Sequence, residues 1–278
     1  MPDPELNFNV ARKRMDIEFH GPSSPEALRA IATRLRQDGA RCVRAIVAFG
    51  WRDPEASHWD DPCHVAGLDR ILIPPVESFI FDSGETIPRQ SFNTVGDAGE
   101  LLEACPALRR AFIVGCSTMH TTRHEHLREL YLGGNPLDPS VLPALGASCF
   151  PALETLALLQ EQWAGSISVD EIVACLRAID APRLADVYVE GAPVIELLTA
   201  IGTAPLRWNL CIGDHGFDDV ERLFQILRQQ DTLRARKLRL CSGCFFASEV
   251  AQLAELGVAA EDWRDFFFPR TWSVHSSW

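Results

Sequence analysis

Residues 120–126 read His-Thr-Thr-Arg-His-Glu-His, so His120, His124, Glu125 and His126 bring three imidazoles and a carboxylate within seven positions. Imidazole nitrogen and carboxylate oxygen are ligands that zinc takes readily. The order does not match the helical HExxH motif, so ligation would require these side chains to converge from a loop. A second ligand-rich stretch, 58–64, carries His58, Asp60, Asp61, Cys63 and His64 beside Trp51 and Trp59. Its plainer reading is a polar loop anchored by the two tryptophans. Cys241 and Cys244 form a CxxC pair, but it lacks the second pair of a zinc site and the context of a redox motif. The sequence contains no glycine-rich phosphate loop, nucleophile elbow or kinase signature.

The elements that would hold these residues follow a repeat. With L standing for any apolar residue, LxxLxL fits Leu108-Ala111-Ile113, Leu127-Leu130-Leu132, Leu153-Leu156-Leu158 and Leu184-Val187-Val189. Leu210 and Ile212 fit with one extra residue ahead of them, and Ala235-Leu238-Leu240 fits more loosely. Val43-Ile46-Ala48 and Leu68-Ile71-Ile73 continue the series upstream. The centres at 46, 71, 111, 130, 156, 187, 210 and 238 lie 19 to 31 residues apart, except for one step of 40. Leucine-rich repeats recur every 20–29 residues or so, and the long step implies an insertion. Between the strands lie one-faced helical patterns such as "DDVERLFQILRQQ", where Leu223, Ile226 and Leu227 share a side.

One strand and one helix cannot close an apolar interior, so units of this kind stack and pair their strands into a parallel sheet. The expected fold is an α/β leucine-rich-repeat solenoid of about eight units, with a concave sheet and convex helices. The expected organisation is one domain over 1–278: a capping strand and helix in 1–40, repeats over 41–258 with an insertion near 76–95, and an aromatic cap in 259–278. In this register the histidines of 120–126 precede a strand, in an exposed connection.

Composition excludes several partners. A net charge of −12 argues against duplex DNA or anionic lipid, which need clustered cations. No apolar run approaches the ~20 residues needed to span a bilayer, and the first residues lack a signal-like apolar stretch. The nine cysteines are odd in number and sit mostly in apolar segments, as reduced buried thiols do. A cytoplasmic location is expected.

On the stretches "MDIEFHGPSSPEALRAIATRLRQDGARCVRAIVAFGWRD" and "RQSFNTVGDAGELLEACPALRRAFIVG" the chain resembles a family of bacterial cytoplasmic leucine-rich-repeat proteins of unassigned function. It departs from that family in "SFIFDSGETIPRQ" and in the tail "WRDFFFPRTWSVHSSW". The resemblance implies the fold and brings no catalytic residues.

Without a catalytic constellation, the concave sheet is the expected working surface. Strand alternation places Phe112, Tyr131, Ala157, Tyr188, Cys211 and Arg239 in one column there, and Arg110, Glu129, Thr155, Asp186, Asn209 and Lys237 in the next. Val47 and Phe49 should extend the first column upstream, with Trp51 just past it. Wet-faced aromatics beside charges are the mixture found at interface hot spots. The expected function is non-catalytic binding of a protein or peptide by a monomer, without cofactor or resident metal, through Phe112, Tyr131, Asp186, Tyr188, Glu129, Trp51, Phe49 and Arg239. A metal-dependent enzyme using 58–64 or 120–126, and a self-assembling structural unit, are the alternatives.

Overall fold

The computed structural model describes residues 5–11, 13–19, 25–47, 63–64, 76–82, 93–94, 96–114, 116–134, 137–160, 168–202, 208–213, 219–229, 238–241 and 246–261. One long sheet of eleven strands follows the order of the sequence, and apolar residues at every second position mark most of its strands. The strands are β1 (Glu5–Asn9), β2 (Arg14–Phe19), β3 (Cys42–Val47), β4 (Ser78–Asp82), β5 (Arg110–Val114) and β6 (Glu129–Gly134). They continue as β7 (Thr155–Gln160), β8 (Asp186–Glu190), β9 (Asn209–Gly213), β10 (Arg239–Cys241) and β11 (Ala259–Glu261). β1 and β2 form an antiparallel hairpin, and every other pairing is parallel.

Parallel neighbours need a crossover between them. Among the described residues seven helices serve: α1 (Pro25–Asp38), α2 (Ala98–Ala104), α3 (Val141–Gly146), α4 (Val169–Ala178), α5 (Val194–Ile201), α6 (Val220–Gln229) and α7 (Ala247–Glu255). Their ends are locally encoded. Ser168 and Glu171 form a reciprocal capping box at the start of α4. Gly39 and Gly257 follow α1 and α7 with φ of 62° and 76°, a left-handed turn that ends a helix at little cost to glycine.

The core lies between the sheet and these helices. Ala111 and Ile113, Leu130 and Leu132, Leu156 and Leu158, Val187 and Val189, Leu210 and Ile212, and Leu238 and Leu240 all point into it. They share one cluster with Leu142 and Leu145 of α3, Leu197 and Leu198 of α5, and Leu223 and Leu227 of α6. The leading template leucines Leu108, Leu127 and Leu153 are fully buried there too. Burying a leucine side chain contributes about 1.5–3 kcal/mol, so this periodic set dominates what holds the sheet to the helices.

Three features differ from the sequence reading. The slot between β3 and β5 is filled by Ser78–Asp82, inside the stretch read as an insertion, because Phe79 supplies the buried side chain there. Leu68–Ile73, the segment expected in that slot, lies outside the described residues. Val47 falls on the same alternate position as the buried Val43, so it is not in the Phe112 row, whose register continues upstream through positions 80, 44 and 16 instead. The first three residues of the expected C-terminal cap, 259–261, pair with β10 as a final strand.

Candidate functional site

Since the inward positions belong to the core, the alternate positions form the face turned away from the helices. The pairing places Arg110, Glu129, Thr155, Asp186 and Asn209 in one row across five strands. Phe112, Tyr131, Ala157, Tyr188, Cys211 and Arg239 form the next row, in the register expected from the sequence. A third row, two residues further along, runs through Gly133, Leu159, Glu190, Gly213 and Cys241. Lys237, Phe49 and Trp51 lie outside the described residues.

The polar groups of this face are tied together across strands. Arg110 Nε meets Glu129 Oε1 at 3.3 Å, and Asn209 Nδ2 donates to Asp186 Oδ1 at 2.9 Å. Arg239 donates from Nη2 to the Tyr188 hydroxyl at 3.0 Å, and its guanidinium lies 5.4 Å from the centre of that ring. Such cross-strand contacts fix side-chain directions.

The aromatics are less open than alternation alone implies. Phe112 and Tyr131 pack with ring centres 5.7 Å apart, and Tyr131 is only 6% exposed, shielded by a cluster with Ala157, Phe112, Leu159 and Tyr188. Burial, with Glu129 close by, drives the Tyr131 hydroxyl far above its ordinary range. Burial also raises the Tyr188 hydroxyl, and Arg239 offsets part of that rise. Tyr131 is therefore a supporting residue, contrary to the expectation of a wet contact. Phe112, Tyr188, Asp186, Glu129 and Arg239 remain partly exposed.

Of the third row, Gly133, Leu159, Gly213 and Cys241 were not read from the sequence as part of the face. Glu190 is buried to 4% exposure between the Leu159 and Gly213 positions, and the Cys211 and Cys241 sulfurs lie 3.4 Å apart, both buried. Following the alternation two residues further along each strand would have reached the third row, while Cys211 already lies in the second. At the other end of the face, Arg14 Nη2 meets Asp16 Oδ2 at 3.0 Å, while Arg14 Nε and Nη1 and Asp16 Oδ1 are buried without a hydrogen-bond partner among the described residues.

The histidines of 120–126 are separated by their surroundings. His124, 3% exposed, directs Nε2 to the Cys105 carbonyl at 2.9 Å. Its Nδ1 accepts the backbone N–H of Leu127 at 3.1 Å and of His126 at 3.3 Å. Both ring nitrogens are thus committed, which fixes the Nε2–H tautomer, and burial holds the imidazole below its usual pKa. The ring ties the end of α2 to the start of β6, a structural role that leaves no nitrogen for a metal.

His120 is held differently, between Asp97, the N-cap of α2, and Glu103 near its end. Its Nδ1 is 2.8 Å from Asp97 Oδ1, and its Nε2 is 3.2 Å from Glu103 Oε1. Asp97 also caps α2 through Gly99 N and Glu100 N and receives the Thr118 hydroxyl. A Cβ at position 99 would come within 2.8 Å of the His120 ring and carbonyl, so glycine there admits the histidine. The Glu103 hydrogen bond leads in raising the His120 pKa, partly opposed by desolvation, with Asp97 adding to the rise.

Among the described residues no group of three His, Cys, Asp or Glu side chains converges as metal ligands do. Of the stretch 58–64 only Cys63 and His64 are described, as a two-residue strand beside Asn93–Thr94. Cys244 lies outside the described residues. No helix among them is long and apolar enough to cross a membrane.

No family model matches the chain, and no curated protein does. A crystal structure of a Bacteroides fragilis protein is similar over 80% of this chain, at 14% identity and a TM-score of 0.55. The likeness is one of fold. The match spans about 65% of the length of that protein.

Proposed function

We propose that the chain is a leucine-rich-repeat solenoid of about eight units whose open sheet face binds a protein or peptide and performs no chemistry. The observation that carries this reading is the partly exposed set Phe112, Glu129, Asp186, Tyr188 and Arg239, in two adjacent rows of the sheet between β5 and β10 and held by cross-strand contacts. Aromatic and guanidinium groups held in place lose little freedom on binding, which is what makes such residues effective anchors. The acids Glu129 and Asp186 would receive basic groups of the partner, and Arg239 an acidic or carbonyl group. A cytoplasmic location agrees with this reading.

The test is capture of a partner from the native host with two baits, the natural chain and a Tyr188→Ser/Asp186→Lys variant. A third bait, Arg177→Glu on the exposed side of α4, controls for unspecific charge effects. A partner retained by the first and third baits and lost from the second supports the reading. A partner held equally by all three refutes the assignment of the face.

A further inference from the structure

We propose that Cys211 and Cys241 form a dithiol site, which small disulfides oxidise to a covalent bridge between β9 and β10. The two sulfurs lie 3.4 Å apart, although the register sets Cys211 opposite Arg239 and Cys241 opposite Gly213. The side chains are thus diagonal neighbours on one face of the sheet. Gly213 presents no side chain opposite Cys241, which leaves room for that thiol to lean toward Cys211. A thiol is a weak donor and a weak acceptor, so the contact gains little as a hydrogen bond. It is, however, a starting geometry for a covalent one.

Where the pair sits separates it from the other buried thiols. Cys105 and Cys175 belong to the core between the sheet and the helices. Cys211 and Cys241 form their own cluster on the open face, packed against Leu159 and Tyr188, which are only partly buried. Among the described residues a single layer of side chains therefore lies between the sulfurs and the open side. Side-chain rotation in that layer is fast, and it admits a small reagent without unfolding the sheet.

The exchange runs in two steps. One protein thiolate attacks a sulfur of the small disulfide, forms a mixed disulfide and releases one thiolate. The second protein thiolate then attacks the first protein sulfur, expels the other half of the reagent and closes the Cys211–Cys241 bond. Two protein thiols are oxidised, one external disulfide is reduced, and the two thiol protons end on the two released thiols. Closure brings the sulfurs from 3.4 Å to about 2.0 Å. Diagonal neighbours stand near the long limit of a disulfide span, so β10, three residues long, moves slightly toward β9. The Cys149 sulfur meets Arg123 and Asp180 rather than a thiol, so its reaction stops at the mixed disulfide.

The experiment treats the folded full chain with excess 2-hydroxyethyl disulfide, blocks remaining thiols with N-ethylmaleimide in denaturant, and maps peptides by mass spectrometry without reduction. The peptides holding positions 211 and 241 should be recovered joined, two hydrogens lighter than their sum, while Cys149 carries the reagent's half as an adduct. Cys244→Ser should leave that bridge intact, and Cys211→Ala should abolish it with an unchanged circular dichroism spectrum. The proposal is overturned by thiols at 211 and 241 that stay free while Cys149 reacts. An adduct on either of the pair without the joined peptide overturns it too, as does a Cys241–Cys244 bridge in its place.

Discussion

Replacing His124 by alanine is the sharpest probe of how the connection before β6 is held. The imidazole donates to the Cys105 carbonyl and accepts from the Leu127 and His126 amides at a site 3% exposed. Alanine reaches neither. A buried polar group left without its partner costs about 1–3 kcal/mol, and the vacated ring volume adds a cavity term, so the loss should be about 3–5 kcal/mol. In a chain of this size about 1 kcal/mol moves the melting temperature by roughly 2 °C, which predicts a fall of about 6–10 °C. Thermal unfolding followed by circular dichroism reads it, with His126→Ala, an exposed ring, as a control expected near the natural value. The pH dependence supplies a sign. Because burial depresses the folded pKa of His124, its contribution is present above the unfolded value of about 6.5 and is lost as pH falls below it. The deficit of the alanine variant should therefore shrink in acid. A His124→Ala chain melting within a degree of the natural one at pH 7.5, or a deficit that grows in acid, would refute the structural role.

His120 should show the opposite slope. Its folded pKa is raised, first by Glu103 and then by Asp97, so its contribution is complete below about pH 6.5 and fades as pH rises through the folded value. His120→Gln should flatten denaturant midpoints over that window, and an unaltered profile would count against the Asp97–His120–Glu103 clasp. Leu156→Ala, at a site with no exposure, should cost about 2–5 kcal/mol by urea titration; a cost below about 1 kcal/mol would contradict the core assignment. Tyr131→Ala should likewise destabilise by a few kcal/mol, about 3–5 for a well-buried ring, and a stability-neutral result would restore it to the exposed contacts.

Much of the sheet was legible because its cause is local. The apolar positions of Ala111 and Ile113, Leu130 and Leu132, Leu156 and Leu158, and Val187 and Val189 carry the period of a half-buried strand, and that period alone fixes the rows of the open face. Where two segments carry similar alternation, pattern cannot choose: "LDRILI" was read as the strand after β3, and "SFIFD" fills that slot. β1 and β11 were missed because Glu-Leu-Asn-Phe-Asn and Ala-Ala-Glu offer too few apolar residues to register as a period. The burial of Tyr131 was not legible because Ala157 and Tyr188 reach it from strands distant in the chain. The division of labour between His120 and His124 was hidden for the same reason, since Asp97 and Cys105 lie 23 and 19 residues upstream of them.

The claim on which the functional account rests is that the open face, through Tyr188 and Asp186, grips another protein. Calorimetric titration of the purified captured partner into the natural chain and into Tyr188→Ser/Asp186→Lys measures that directly. The account predicts saturable one-site binding to the first and at least a hundredfold weaker binding to the second, with both chains equally folded. Equal affinities for the two would contradict it.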